Sequence, residues 1–95
     1  MSGSARPGWA GPNPGPAVTV VVYGRPGCHL CEQALAVIER VAARVPFVLE
    51  QRDIEADDEL FKRYLERIPV VEIDGAEAFE LFVDEQAFVS RVSGS

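Results

Sequence analysis

Apolar positions along this chain follow distinct rhythms, and each change of rhythm falls at a glycine or a proline. Residues 18–23, Val-Thr-Val-Val-Val-Tyr, form a short β-branched run with almost no polar break. Such a run suits a strand covered on both faces, so it predicts a central strand. Gly24, Pro26 and Gly27 end it and make a loop. Beyond the loop, Cys31, Ala34, Leu35, Ile38, Val41, Ala42 and Val45 recur at three- and four-residue spacing. That spacing lines one face of a helix running to about Arg44, which Pro46 then stops. Residues 47–53, apolar at first and polar afterwards, predict a second strand leaving the core.

The second half repeats the scheme and then departs from it. After an acidic stretch read as solvated loop and helix start, Asp57 can cap a helix whose stripe is Leu60, Phe61, Tyr64, Leu65 and Ile68. Acids fill its first turn and Lys62, Arg63 and Arg67 come later, which suits the helix dipole. Ile68-Pro69 ends it. Residues 70–73 and 78–82 are strand-like and flank Asp74-Gly75, the strongest short hairpin signal, so they should pair antiparallel. Asp84 can cap a last short helix carrying Ala87, Phe88 and Val92. The order is β-α-β-α-β-β-α. A single crossover helix makes the first two strands parallel, and the hairpin joins the same sheet. The expected fold class is α/β, a four-stranded mixed sheet flanked by helices.

Composition narrows the setting. Residues 1–17 carry Pro7, Pro12, Pro14 and Pro16 with four glycines, a mixture that builds no core. The expectation is a disordered tail over 1–17 and one domain over 18–93, with Trp9 an incidental aromatic of the tail. For 95 residues, 47% hydrophobic content leaves a thin margin of core, so most apolar positions must be used. The formal charge of −6 argues against nucleic acid and anionic membranes as partners. The chain shows neither a membrane-length apolar run nor a signal-peptide pattern, and it is expected in the cytoplasm, as a monomer. There a purely structural disulfide is uncommon.

Only two cysteines occur, in Cys28-His29-Leu30-Cys31, between the first strand and the first helix. Two thiols at that spacing can be bridged with little backbone movement, and the first faces the free amides of a helix N-terminus, which stabilise a thiolate. From the residues alone the pair is a redox centre, part of a metal site, or two packed core thiols. A closed zinc site wants four ligands, and beyond His29 the chain has no other cysteine or histidine. His29 can support the thiolate electrostatically or simply face solvent.

Tyr23-Gly24-Arg25-Pro26-Gly27-Cys28-His29-Leu30-Cys31, together with Ile68-Pro69-Val70-Val71 and Ile73-Asp74-Gly75, resembles the glutaredoxin-like proteins with a Cys-x-Leu-Cys site. The resemblance spans residues 18–92. It implies the thioredoxin-like fold, with Cys28 as an exposed nucleophile, Cys31 as a packed resolving thiol and Pro69 in the cis form beside them. Arg25 is then expected to lower the pKa of Cys28. Tyr23, Arg25, Ile68, Pro69 and Val70 would border the substrate groove, where peptide groups around a cis proline can pair with an extended chain.

The implied activity is thiol–disulfide exchange on protein or low-molecular-weight disulfides, with no bound cofactor and with electrons from a reductase or the glutathione system. Two other readings stay open: an iron–sulfur or zinc carrier using the same thiols, and a non-enzymatic partner-binding module. Glutathione is expected to bind poorly. Glutathione-using relatives carry a Gly-Gly-then-Asp segment after the hairpin, whereas this chain has Glu80-Leu81-Phe82-Val83-Asp84. Acids at Glu80, Asp84 and Glu85 are expected to disfavour an anionic ligand at the site.

Overall fold

The computed structural model describes residues 18–93. The expectations for the Pro/Gly-rich segment 1–17, Trp9 included, lie outside the described residues. Strand β1 (Thr19–Gly24) leads through a loop into α1 (His29–Ala42), and β2 (Val48–Asp53) follows. A 3₁₀ turn (Ile54–Ala56) then precedes α2 (Asp58–Tyr64), β3 (Val70–Ile73), β4 (Ala76–Glu80) and α3 (Glu85–Val92). The strands lie in the order β2-β1-β3-β4, with β1 parallel to β2 and antiparallel to β3, and with β3 antiparallel to β4. The β-branched first strand is therefore central, as its composition predicts.

Strand alternation divides the core between the two faces of the sheet. Val20 and Val22 of β1 and Val71 and Ile73 of β3 meet Ala34, Ile38 and Val41 of α1 and Phe88 and Val92 of α3 in one buried cluster. Val70 turns the other way and meets Ile54, Tyr64 and Ile68, with Tyr23 of β1 packed against them. Cys31 sits on α1 yet belongs to this second cluster. The first turn of α1 therefore joins the two halves of the core, and that is where the cysteines are.

Each helix starts at a side-chain cap. Asp57 Oδ1 accepts hydrogen bonds from the amides of Glu59 and Leu60, and Asp84 Oδ2 accepts one from Ala87. Helix α1 ends at Ala42, two residues before the expected Arg44, and Ala42 is exposed whereas Val45 is half-buried. Helix α2 ends at Tyr64, and a turn carries the chain to Ile68.

The hairpin corrects the predicted fourth strand. Asp74 and Gly75 take φ of 52° and 86°, the left-handed pair that a two-residue turn of this hand requires. Ile73 therefore pairs directly with Ala76, and β4 covers 76–80 rather than 78–82, with a bulge opposite Val71/Glu72. Leu81 turns the chain out of the sheet at φ 67° and leaves Phe82 70% exposed. The acidic stretch also hides more than a solvated loop. Ile54 at its centre is fully buried in the 3₁₀ turn, whose first amide donates from Glu55 to Asp53 Oδ1 at 2.8 Å. No helix among the described residues is long and apolar enough to cross a membrane.

Candidate active site

The loop after β1 delivers Cys28 to the N-cap of α1. Gly27 makes the bend at φ 78°, and the Cys28 amide donates to the Arg25 carbonyl at 3.3 Å. A positive φ of this size is a glycine conformation. Cys28 itself is extended, with φ −86° and ψ 109°, and its Sγ accepts a hydrogen bond from the Cys31 amide at 3.1 Å. This sulfur is the helix cap, in the position where free amides and the helix dipole favour negative charge.

Cys28 and Cys31 are joined as a disulfide, with Cα atoms 5.2 Å apart, within the ordinary span of such a bridge. The two sulfurs have unequal surroundings. Cys31 is 5% exposed among Ile54, Tyr64, Ile68 and Val70. Cys28 is half-buried against the same cluster rather than exposed as expected, but it opens on a cleft of about 340 Å³.

Gly24 is what lets Cys31 pack so closely. A Cβ on Gly24 would come within 2.9 Å of Cys31 Sγ and 3.2 Å of its Cβ. The sequence marks Gly24 only as loop punctuation, because nothing local shows that the helix returns over it.

Arg25 lines the cleft, but its charge is engaged. Its guanidinium is 2.5 Å from Glu55 Oε2 and 5.8 Å from the centre of the Phe61 ring. The Arg25 charge expected to support the Cys28 thiolate is therefore paired with a carboxylate. Arg52, also on the cleft, is held by Glu50 at 2.6 Å. His29 is 80% exposed, 3.9 Å from Glu32, and faces solvent.

Tyr23 lies on the opposite face of β1, stacked on Tyr64 with ring centres 4.7 Å apart, and its hydroxyl donates to Glu72 at 3.3 Å. Burial, and then the adjacent Glu72 carboxylate, hold this hydroxyl above its ordinary titration range. The Ile68-Pro69 bond is cis. Ile68, Pro69 and Val70 are all buried, and the Pro69 carbonyl accepts a hydrogen bond from the Leu81 amide at 2.8 Å. Strand pairing begins at Val70.

Each of the acids expected to crowd the cysteines has a partner of its own. Glu80 is bound by Arg67 at 2.7 Å, and Asp84 caps α3. Glu85 binds Arg40 at 2.9 Å and Arg44 at 3.0 Å, about 18 Å or more along α1 from its capped end. The chain reverses at Leu81, and α3 then carries its first acid toward the far end of α1. Among the described residues no group of three or more His, Cys, Asp and Glu side chains is gathered as a metal ion would need.

A sheet of this order with a bridged Cys-x-x-Cys capping α1 also marks a known family, and the model of the Glutaredoxin-like domain (DUF836) matches residues 19–93. The chain belongs to this glutaredoxin-like family. Among solved structures, the solution NMR structure of protein Ne2328 from Nitrosomonas europaea is similar at 31% identity and a TM-score of 0.72, over 82% of this chain and 94% of that one. A mutant thioredoxin from Halobacterium salinarum aligns at 20% identity and a TM-score of 0.60, over 79% and 71% of the two chains. Fasciola hepatica thioredoxin aligns at 20% and 0.55, over 80% and 81%. The two thioredoxins show the fold alone, and that fold is thioredoxin-like. A comparison with curated proteins finds no match. A glutaredoxin-like chain with two cysteines at disulfide distance fits a thiol redox role.

Sequence reading picks out Cys28 and Cys31, which the fold joins, and Arg25, which it puts on the same cleft. Tyr23 packs on the α2 side against the same buried cluster as Cys28. Gly24, Glu55 and Phe61 went unrecognised, since each acts through a contact with a residue distant in sequence or through a helix return.

Proposed function

We propose that this protein is a thiol–disulfide oxidoreductase that exchanges protein or low-molecular-weight disulfides through Cys28 and Cys31. The observation that carries the reading is the asymmetry of the bridged pair: one sulfur caps a helix and opens on a cleft, and the other is packed against Gly24. In the reduced protein, a Cys28 thiolate attacks one sulfur of a substrate disulfide. A new S–S bond forms to Cys28, the substrate bond breaks, and the leaving sulfur departs as a thiolate that takes a proton from water. Cys31 then gives up its proton and attacks Cys28 Sγ, which releases the second substrate thiolate and leaves the Cys28–Cys31 disulfide. The substrate gains two electrons and the protein loses two. A thiol reductant, either glutathione or the dithiol of a reductase, returns the pair to its reduced form.

The Cys31 amide that donates to Cys28 Sγ would hold the thiolate in the attacking state and lower its pKa from about 8.5 for a free thiol. Burial favours the neutral thiol at Cys31 until the mixed disulfide brings a target within reach. Arg25, the rim of Tyr23 and the edge of Ile68 are the proposed substrate contacts, with the buried Pro69 and Val70 holding that edge in place.

Cys31→Ser tests the reading. With no resolving thiol, the variant should accumulate a mixed disulfide at Cys28 when given an oxidised protein or small disulfide, and mass spectrometry should locate the adduct. Cys28→Ser should trap nothing. If Cys31→Ser gives no adduct with any disulfide offered, exchange is not the function. Coupled assays with glutathione and glutathione reductase, against thioredoxin and its reductase, then identify the electron donor.

A further inference from the structure

The cleft beside Cys28 contains two guanidinium groups, and each already holds a carboxylate of this chain. Arg25 is bound by Glu55 and lies over Phe61, while Arg52 is bound by Glu50. Arg25 and Arg52 line the cleft with Glu32 and Asp53. An anionic group brought in beside a substrate disulfide therefore meets cations that each already carry a carboxylate partner. We propose that Glu55 is a specificity-determining residue, an internal competitor for Arg25 that biases the Cys28 cleft against disulfides bearing carboxylates close to the S–S bond and toward neutral ones. The inference rests on the exchange activity proposed above and names the substrate class of that same site.

The geometry makes Glu55 a competitor rather than a lock. Both partners of the Arg25–Glu55 pair are partly exposed, 39% and 40%, and a pair so open to water gives no more than about a fivefold bias. A substrate carboxylate can displace Glu55, but it does so against that bias and against the displaced charge, which stays close by. Phe61 strengthens the arrangement, because its ring at 5.8 Å keeps the guanidinium over the α2 side of the cleft when Glu55 lets go. The origin of the pair lies in the parallel register. Gly24 is opposite Asp53 in the β1–β2 ladder, so the chain leaving each strand carries residue 25 and residue 55 to the same end of the sheet.

The test is a selectivity measurement under single-turnover conditions. The fully reduced protein is mixed with 3,3′-dithiodipropionate, whose carboxylates lie close to the S–S bond, or bis(2-hydroxyethyl) disulfide, which is neutral, and loss of thiol is followed at low salt. Removing the charge in Glu55→Gln should raise the anionic-to-neutral rate ratio by up to about fivefold, the bias that an exposed Arg25–Glu55 pair can exert. The gain should shrink toward unity in about 1 M salt, where the screening length is about 3 Å. Glu55→Asp, which keeps the charge, should stay near the original ratio. In the Arg25→Gln background, Glu55→Gln should no longer raise the ratio by way of a freed cation. An unchanged ratio in Glu55→Gln, or the same rise in both backgrounds, overturns the proposal while leaving the exchange reading in place. Failure of the unmodified protein to react with either disulfide overturns both.

Discussion

Replacing Gly24 with alanine tests whether the closeness of β1 and α1 governs the redox state of the pair. The added methyl would sit 2.9 Å from Cys31 Sγ and 3.2 Å from Cys31 Cβ, inside the separation at which carbon and sulfur rest. Two effects oppose each other. Alanine restricts the unfolded chain and would stabilise by about 0.4–1 kcal/mol where the site accepts it. Overpacking a filled core costs about 1–3 kcal/mol. The second should win, because Cys31 is 5% exposed and one of the close contacts is its Cβ, which cannot swing aside.

The size of the loss should depend on oxidation. In the bridged form Sγ of Cys31 is tied to Cys28 and cannot rotate away, whereas the reduced thiol has other rotamers open to it. We expect Gly24→Ala to destabilise the oxidised protein by about 2 kcal/mol and the reduced protein by about 1 kcal/mol, within the range for overpacking. The difference of about 1 kcal/mol corresponds to a potential roughly 20 mV more oxidising, at about 30 mV per 1.4 kcal/mol for a two-electron couple. Urea unfolding of both forms, together with equilibration against a dithiol redox buffer, measures the two quantities independently. Equal losses in both forms with an unchanged potential would refute the argument, as would a variant more stable than the parent when oxidised.

Two further outcomes follow from the geometry. Asp84→Ala removes the cap whose Oδ2 accepts from the Ala87 amide at 2.9 Å and should cost about 1 kcal/mol, seen as a melting temperature lower by about 4–8 °C for a domain of this size, while Asp84→Ser should recover most of it. Tyr23 provides a pH dependence: its folded-state pKa lies above the ordinary 10, so the folded protein holds the phenol proton more tightly than the unfolded chain. That contribution is complete below about pH 10 and is lost as pH rises through the folded value. Urea midpoints should fall over that alkaline window in the parent and fall less in Tyr23→Phe; identical profiles would show that Tyr23 is not the group responsible.

Most of the architecture is legible in the chain because its signals are local. Helix stripes, caps at Asp57 and Asp84, the Asp74-Gly75 turn and the stop at Pro46 each depend on side chains within about one or two turns of one another. The errors lie where locality ends. The predicted strand 78–82 follows apolar content, but the two-residue turn dictates pairing from Ala76 and ejects Leu81 and Phe82. Ile54 reads as one apolar residue in an acidic loop, yet it is buried with Cys31, Tyr64, Ile68 and Val70 in the second core cluster.

The sequence by itself determined the cysteine pair, its place at the start of a helix after a central strand, and the β-α-β-α-β-β-α order that makes a thioredoxin-like fold. Spacing within a helix and turn chemistry suffice for that. Only the tertiary structure decided that Gly24 is the floor beneath Cys31, that Arg25 is held by Glu55, and that Glu85 pairs with Arg40 and Arg44 instead of crowding the site. The physical reason is register. Residues 25 and 55 meet because Gly24 faces Asp53 across the parallel ladder, a relation between distant segments that no local pattern encodes.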